Sequence, residues 1–98
     1  MNLYIQPKNL SDWLTLITEI GLRSEQSTPE QDVGYLVGEM LPVLEQARSY
    51  SDVSLEWRNL AVTALSRFKT FEANQRLFSC PNGDKLEEAW DEAIKCFS

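Results

Sequence analysis

Apolar residues recur every three or four positions along most of the chain, which is the spacing of one face of an α-helix. The first such stripe predicts a helix over residues 10–22, with Asn9 as the residue that caps it. The second predicts a helix over residues 28–50, opened by the hydroxyl of Thr28 and a proline directly after it. Pro42 lies inside this second helix and predicts a kink or a break, because proline removes a backbone hydrogen bond.

A third stripe predicts a long helix over residues 53–78, with a bend expected around residues 70–74. The apolar residues assigned to its buried face are Trp57, Leu60, Ala61, Ala64, Leu65, Phe68, Phe71 and Phe78. The turn-forming sequence of residues 79–83 then ends this helix. Asp84 is predicted to cap a fourth helix that extends to the end of the sequence.

These stripes predict an all-α fold, a single domain over residues 1–98 built as an antiparallel bundle of four to five helices. Residues 1–8 are compatible with an extended segment, but one short strand cannot form a sheet. The pair Gly34 and Gly38 has the spacing of small residues that let another helix approach closely. Close helix packing at these glycines is therefore a hypothesis.

The charge of the chain limits the classes of partner. The formal net charge is −6, and 43% of the residues are hydrophobic, which is enough for a core. Nucleic acids and anionic membranes repel an acidic surface, whereas a basic protein is attracted to it. The sequence has no run of about 18 apolar residues, so no membrane span is predicted. We expect a cytoplasmic protein with free thiols at Cys80 and Cys96, because helix geometry places these residues too far apart for a disulfide.

No constellation of residues typical of a catalytic centre is found in the sequence. It contains no histidine, the commonest general base and transition-metal ligand, and its four glycines form no phosphate-binding loop. The acidic residues near the C-terminus lie on adjacent turns of one helix, which is typical of a solvated or partner-binding face. We therefore predict no enzyme activity, no catalytic residues, no cofactor and no metal ligands.

Charge is also distributed unevenly between the predicted helices. Residues 28–50 and residues 79–98 each carry a local charge of −3, whereas residues 53–78 carry +2. One interpretation is that the basic helix neutralises its acidic neighbours within the fold. The other is that an acidic surface remains free for a cationic partner, with an exposed tyrosine as an anchor. The partner-binding residues predicted on this second interpretation are Tyr35, Glu39, Glu45, Glu88, Asp91 and Glu92.

In length, acidity, helix count and lack of a catalytic set, the chain resembles the small helical immunity proteins that bacteria pair with nuclease toxins, as in colicin and contact-dependent growth-inhibition systems. The Tyr-Tyr-Pro stretch of the colicin DNase immunity family is absent, so no binding residue is carried over from that family. The resemblance implies a non-catalytic inhibitor that neutralises a basic nuclease by covering its active site or its nucleic-acid-binding surface.

Two alternatives from other classes remain open. The first is a structural or adaptor subunit, or a homodimer, that buries leftover apolar residues; the candidates are Leu3, Tyr4, Ile5, Leu16 and Val43. The second is an enzyme or cation site built from carboxylates alone, although no spacing in the sequence matches a calcium-binding loop.

Overall fold

The computed structural model describes residues 7–26 and 34–98 of the chain. Within these ranges it contains five α-helices, one 3₁₀ helix and no strand. The elements are α1 (Leu10–Gln26), α2 (Gly34–Glu45), the 3₁₀ helix (Gln46–Tyr50), α3 (Leu55–Lys69), α4 (Glu72–Phe78) and α5 (Gly83–Phe97). The prediction of an all-α bundle of four to five helices is confirmed. The predicted start of the second helix at Thr28 and most of the predicted extended segment lie outside the described residues.

The start of α1 follows the capping prediction. The side-chain Oδ1 of Asn9 accepts a hydrogen bond from the backbone N–H of Asp12 at 2.9 Å, which satisfies one of the unpaired donors of the first turn. The helix then continues past the predicted end at Leu22 as far as Gln26.

Pro42 does not break the second helix, since α2 continues through it to Glu45 before the chain tightens into the 3₁₀ helix. Because proline has no backbone N–H, the carbonyl of Gly38, four residues earlier, lacks its usual helical hydrogen bond. Both residues are exposed, so a water molecule can donate to this carbonyl instead. A Cβ atom on Gly38 would meet nothing within 4 Å. The hypothesis that Gly38 allows another helix to approach closely is therefore wrong.

The predicted third helix is two helices, because the chain leaves the helical conformation at Phe71 (φ −65°, ψ 138°). Two side-chain amides stabilise this break. Asn74 Nδ2 donates to the carbonyl of Phe68 at 2.8 Å, and Gln75 Nε2 donates to the carbonyl of Lys69 at 2.6 Å. Both carbonyls belong to the last turn of α3, and that of Phe68 also accepts from the backbone N–H of Phe71 at 3.1 Å. The bend was predicted in the right place, and the amides turn it into a break.

The start of α5 differs from the prediction. The helix begins at Gly83, so Asp84 lies in its first turn and the prediction that Asp84 is the cap is wrong. Asn82 precedes the helix in the left-handed conformation, with φ 66°. The chain packs so tightly here that a Cβ atom on Gly83 would lie 2.1 Å from the carbonyl oxygen of Phe78. This close approach fixes where the helix begins.

Two buried tryptophans connect the helices around one core. The indole Nε1 of Trp13 on α1 donates to the carbonyl of Val43 on α2 at 2.8 Å. The indole Nε1 of Trp90 on α5 donates to the carbonyl of Leu65 on α3 at 2.8 Å. Both side chains are fully buried, so each indole N–H needs such a partner. The largest buried side chains are Trp13, Trp90, Phe97, Ile17, Ile20, Leu36, Met40, Leu44, Leu65, Leu77 and Leu86.

We expect Trp90→Phe to lower the free energy of unfolding by about 2–4 kcal/mol, because it removes the buried hydrogen bond and leaves a cavity. Trp57→Phe is the matched control, since Trp57 is 48% exposed, and it should cost less than about 0.5 kcal/mol. Urea denaturation followed by circular dichroism measures both. Equal losses in the two variants would contradict the role assigned to the Trp90 hydrogen bond.

Replacing glycine by alanine should have opposite effects on the stability of the fold at Gly83 and at Gly38. Gly83→Ala should destabilise the fold by about 3 kcal/mol or more, because the added Cβ would collide with backbone atoms. Gly38→Ala should stabilise it by about 0.5–1 kcal/mol, because Gly38 is helical, exposed and unobstructed. Thermal unfolding of both variants is the measurement, and a neutral Gly83→Ala variant would show that the contact at Phe78 is loose.

Candidate functional site

The predicted anchor Tyr35 lies beside an arginine of the neighbouring helix. Tyr35 is 53% exposed, and the guanidinium carbon of Arg23 lies 5.9 Å from the centroid of its ring. The same guanidinium forms an ion pair with Glu39, with 2.9 Å between Nη1 and Oε2. Tyr35 and Glu39 are thus brought together at the junction of α1 and α2. Glu39 is partly neutralised there, which makes it a weaker contact for an outside cation.

Asp91 lies on the side of α5 that contacts α3. Lys69 Nζ lies 2.6 Å from Asp91 Oδ1 and 3.9 Å from Glu87 Oε2. The internal-neutralisation interpretation is therefore confirmed for Lys69. Both carboxylates are half exposed, so these pairs contribute only about 0–1 kcal/mol each.

The outward face of α5 carries a row of carboxylates, Asp84, Glu88 and Glu92, spaced four residues apart and all exposed. We call this row the α5 strip. Glu92 pairs with Lys95 on the same helix at 3.5 Å, but both side chains are more than 70% exposed and the pair is weak. Among the described residues, no ion pair involves Asp84 or Glu88. The α5 strip is therefore open to an outside cation.

The six predicted partner-binding residues do not form one cluster. Two of them surround Arg23, Asp91 faces α3, and Glu88 and Glu92 belong to the α5 strip. Glu45 ends α2, where it is exposed and makes no ion pair with the described residues. The α5 strip contains two of the six, Glu88 and Glu92, and adds Asp84, which the sequence analysis did not include.

Two of the five apolar residues proposed for a homodimer, Leu16 and Val43, lie within the described part of the chain. Leu16 is buried in the core, and Val43 is half-buried and packs against it. The prediction that these two residues remain for a partner is wrong, because the bundle itself covers them. Leu3, Tyr4 and Ile5 lie outside the described residues.

A different apolar surface is exposed, one that the sequence analysis assigned to the core. Of the predicted stripe on the third helix, Trp57, Leu60 and Phe71 are 48%, 50% and 44% exposed. Together with the half-buried Ala64 and Phe68 they form what we call the α3 apolar face. A groove of about 530 Å³ runs along it, and Arg67 is exposed at its edge.

The width of the predicted stripe is the one signal in the sequence that bears on this face, although it does not show which side of the stripe is covered. The predicted stripe is wide enough to form two rows of apolar residues on the helix. The row of Ala61 and Leu65 is buried, whereas the row that starts at Trp57 and continues through Leu60 and Ala64 lies beside it. A stripe that covers more than about 100° of a helix surface exceeds what one core contact buries.

The cysteines and the clusters of acidic residues are the remaining candidates for thiol or metal chemistry. Cys80 and Cys96 are free thiols at the margin of the core, as predicted. In residues 7–26 and 34–98, no cluster of three or more cysteine, aspartate or glutamate side chains is arranged to hold a metal ion. None of the helices in the described part of the chain is long and apolar enough to cross a membrane.

Comparison of the chain with protein-family models, with curated proteins and with solved structures gives no significant match. The residues that the structure describes form a small helical bundle, which exposes the α5 strip and the α3 apolar face.

We expect Lys69→Met to lower the free energy of unfolding by less than about 1 kcal/mol in low salt, and by less still at about 1 M salt. The reason is that its ion pairs are exposed and screened by salt. Lys85→Met is the control, since Lys85 is exposed on α5 and has no ion pair among the described residues. A loss above about 2 kcal/mol that salt does not change would contradict this weak-pair assignment.

Proposed function

We propose that this chain is a non-catalytic protein-binding module, an acidic inhibitor of the immunity-protein kind that neutralises a basic partner such as a nuclease toxin. The observation that carries the proposal is the α5 strip, an exposed row of carboxylates without cations from neighbouring helices in the described structure. Its partner is a protein whose surface is rich in lysine and arginine.

The geometry of the α5 strip suits such a surface. Its three carboxylates lie on residues 84–92, which are eight helical steps apart from first to last, a distance of about 12 Å along the helix. A rigid helix presents them in a fixed row, so little side-chain and backbone freedom is lost on binding compared with a flexible acidic segment. A nuclease must hold the phosphate backbone with cations, and a row of carboxylates competes for those cations.

The electrostatics favour rapid recognition. The net charge of −6 makes the long-range field of the protein negative, and Lys69 offsets only part of the charge of α5. A basic partner is steered toward such a field, with association that weakens as salt rises. Glu39 and Tyr35 lie at a different junction, where they supply a second contact for a partner that spans α1 and α2.

The mechanism is steric and electrostatic exclusion. Carboxylates of the bound inhibitor form ion pairs with the lysine and arginine side chains that would otherwise bind the nucleic acid. The bundle also covers the entrance to the nuclease cleft. The inhibitor needs no cofactor, metal or catalytic residue for this task. The proposal places the protein in the cytoplasm, where an intracellular nuclease toxin acts and where free thiols persist.

The test reverses the charge of the α5 strip. The variant Asp84→Lys/Glu88→Lys/Glu92→Lys changes the net charge from −6 to 0, because each substitution adds two charges. We expect it to weaken binding of the basic partner, recovered at low salt and then purified, by at least about 100-fold. The measurement is a titration at about 50 mM and about 0.5 M salt.

The matched control is Glu19→Lys/Asp52→Lys/Glu72→Lys, which reverses three exposed carboxylates elsewhere and also gives a net charge of 0. It should keep most of the affinity. Equal losses in the two variants would mean that only net charge matters, and unchanged binding in both would overturn the proposal.

A further inference from the structure

The α3 apolar face is an apolar surface that the bundle leaves open. We propose that a second copy of this chain covers it, with the two α3 helices packed antiparallel about a twofold axis level with Val62. This inference does not depend on the proposed function, because no residue of the α5 strip lines the groove.

The first argument is the shape of the face. With the axis level with Val62, a residue that precedes Val62 in one copy lies opposite the residue that follows it by the same number of positions in the other copy. Leu60 therefore lies opposite Ala64 of the partner subunit. Leu60 projects, being half exposed, while the small side chain of Ala64 lines the groove of about 530 Å³ beside it. The large residue of each copy thus meets the small residue of the other, and the contact occurs twice.

The second argument is a cavity at the other end of the same face. It measures about 260 Å³ and lies between the start of α1 and the start of α3, lined in part by Leu10, Val53 and Trp57. The antiparallel arrangement brings the C-terminal end of α3 in each copy next to the N-terminal end of α3 in the other. Phe71 is exposed at the end of α3, so each copy offers an aromatic ring to the apolar cavity of the other.

The third argument is charge, which also selects the register. Glu56 and Arg67 are both exposed, and they lie about 16 Å apart along α3, too far to pair within one chain. Neither forms an ion pair among the described residues. The axis at Val62 places Glu56 beside Arg67 of the partner subunit, twice. Moving the axis to Ala64 would instead carry Glu56 past Lys69, where α3 of the partner subunit ends, and both of these pairs would be lost.

The size of the face sets the expected affinity. The 15 residues of α3 extend over about 22 Å. A single helix pair of this length falls short of the roughly 800 Å² per partner that stable complexes bury. We therefore expect a reversible dimer with a Kd of roughly 10–100 μM.

The test is sedimentation equilibrium between about 1 μM and 1 mM, a range that brackets this expected Kd. The mass should rise from 11.2 kDa toward twice that value. Leu60→Glu should keep the protein monomeric, because it places a charge in the centre of the contact. Leu55→Glu is the matched control: Leu55 is on the same helix and 64% exposed, but lines neither cavity, so this variant should still dimerise.

A charge swap tests the register. Glu56→Arg and Arg67→Glu should each weaken the dimer about tenfold, whereas the double variant should recover most of the affinity, because the two charges exchange places. Circular dichroism confirms that every variant is folded. A monomeric mass throughout the range would overturn the proposal and leave the face to a different protein. A dimer unaffected by Leu60→Glu, or a double variant as weak as the single ones, would also overturn it.

Discussion

The two candidate surfaces of this protein depend on two buried indole hydrogen bonds. Trp13 ties α1 to the backbone of α2, and Trp90 ties α5 to the backbone of α3. An apolar side chain can slide along a helix, but a hydrogen bond to one carbonyl fixes the neighbouring helix in rotation as well as in position. These two bonds therefore determine which residues of each helix face outward.

The positions of the two candidate surfaces follow from that constraint. Because Trp90 faces α3, the opposite side of α5 is turned to solvent and presents its carboxylates there. The indole of Trp90 also donates to the carbonyl of Leu65 on α3, so the side of α3 that carries Ala61 and Leu65 faces the core. Leu60 lies beside this buried row and is half exposed. The acidic and apolar surfaces are thus two consequences of one packing arrangement.

The hydrophobic pattern was sufficient to predict the helical fold, the Asn9 cap and the position of the bend after α3. It was insufficient where a side-chain hydrogen bond or a close backbone contact decides the outcome. The amide of Asn74 converts the bend into a break, and the tight contact at Gly83 moves the start of α5. Neither effect has a periodicity that a sequence pattern can show.

The sequence was sufficient to predict which types of residue form the candidate site, but not how they are arranged in space. The acids of α5 are as exposed as their spacing indicates, yet the pairing of Asp91 with Lys69 requires knowledge of how α3 and α5 cross. The apolar residues of the third helix were all assigned to the core. Periodicity shows that a row is apolar, whereas only the packed bundle shows which of two adjacent rows is covered.

The three tryptophans give this chain two kinds of optical probe. Trp13 and Trp90 are fully buried, so their indole rings move from an apolar environment into water when the bundle unfolds, and their emission changes. Trp57 is already half exposed to water in the folded state. Emission from the two buried indoles therefore reports on the core, and emission from the third reports on the surface of α3. One spectroscopic signal thus separates events inside the molecule from events at its apolar face.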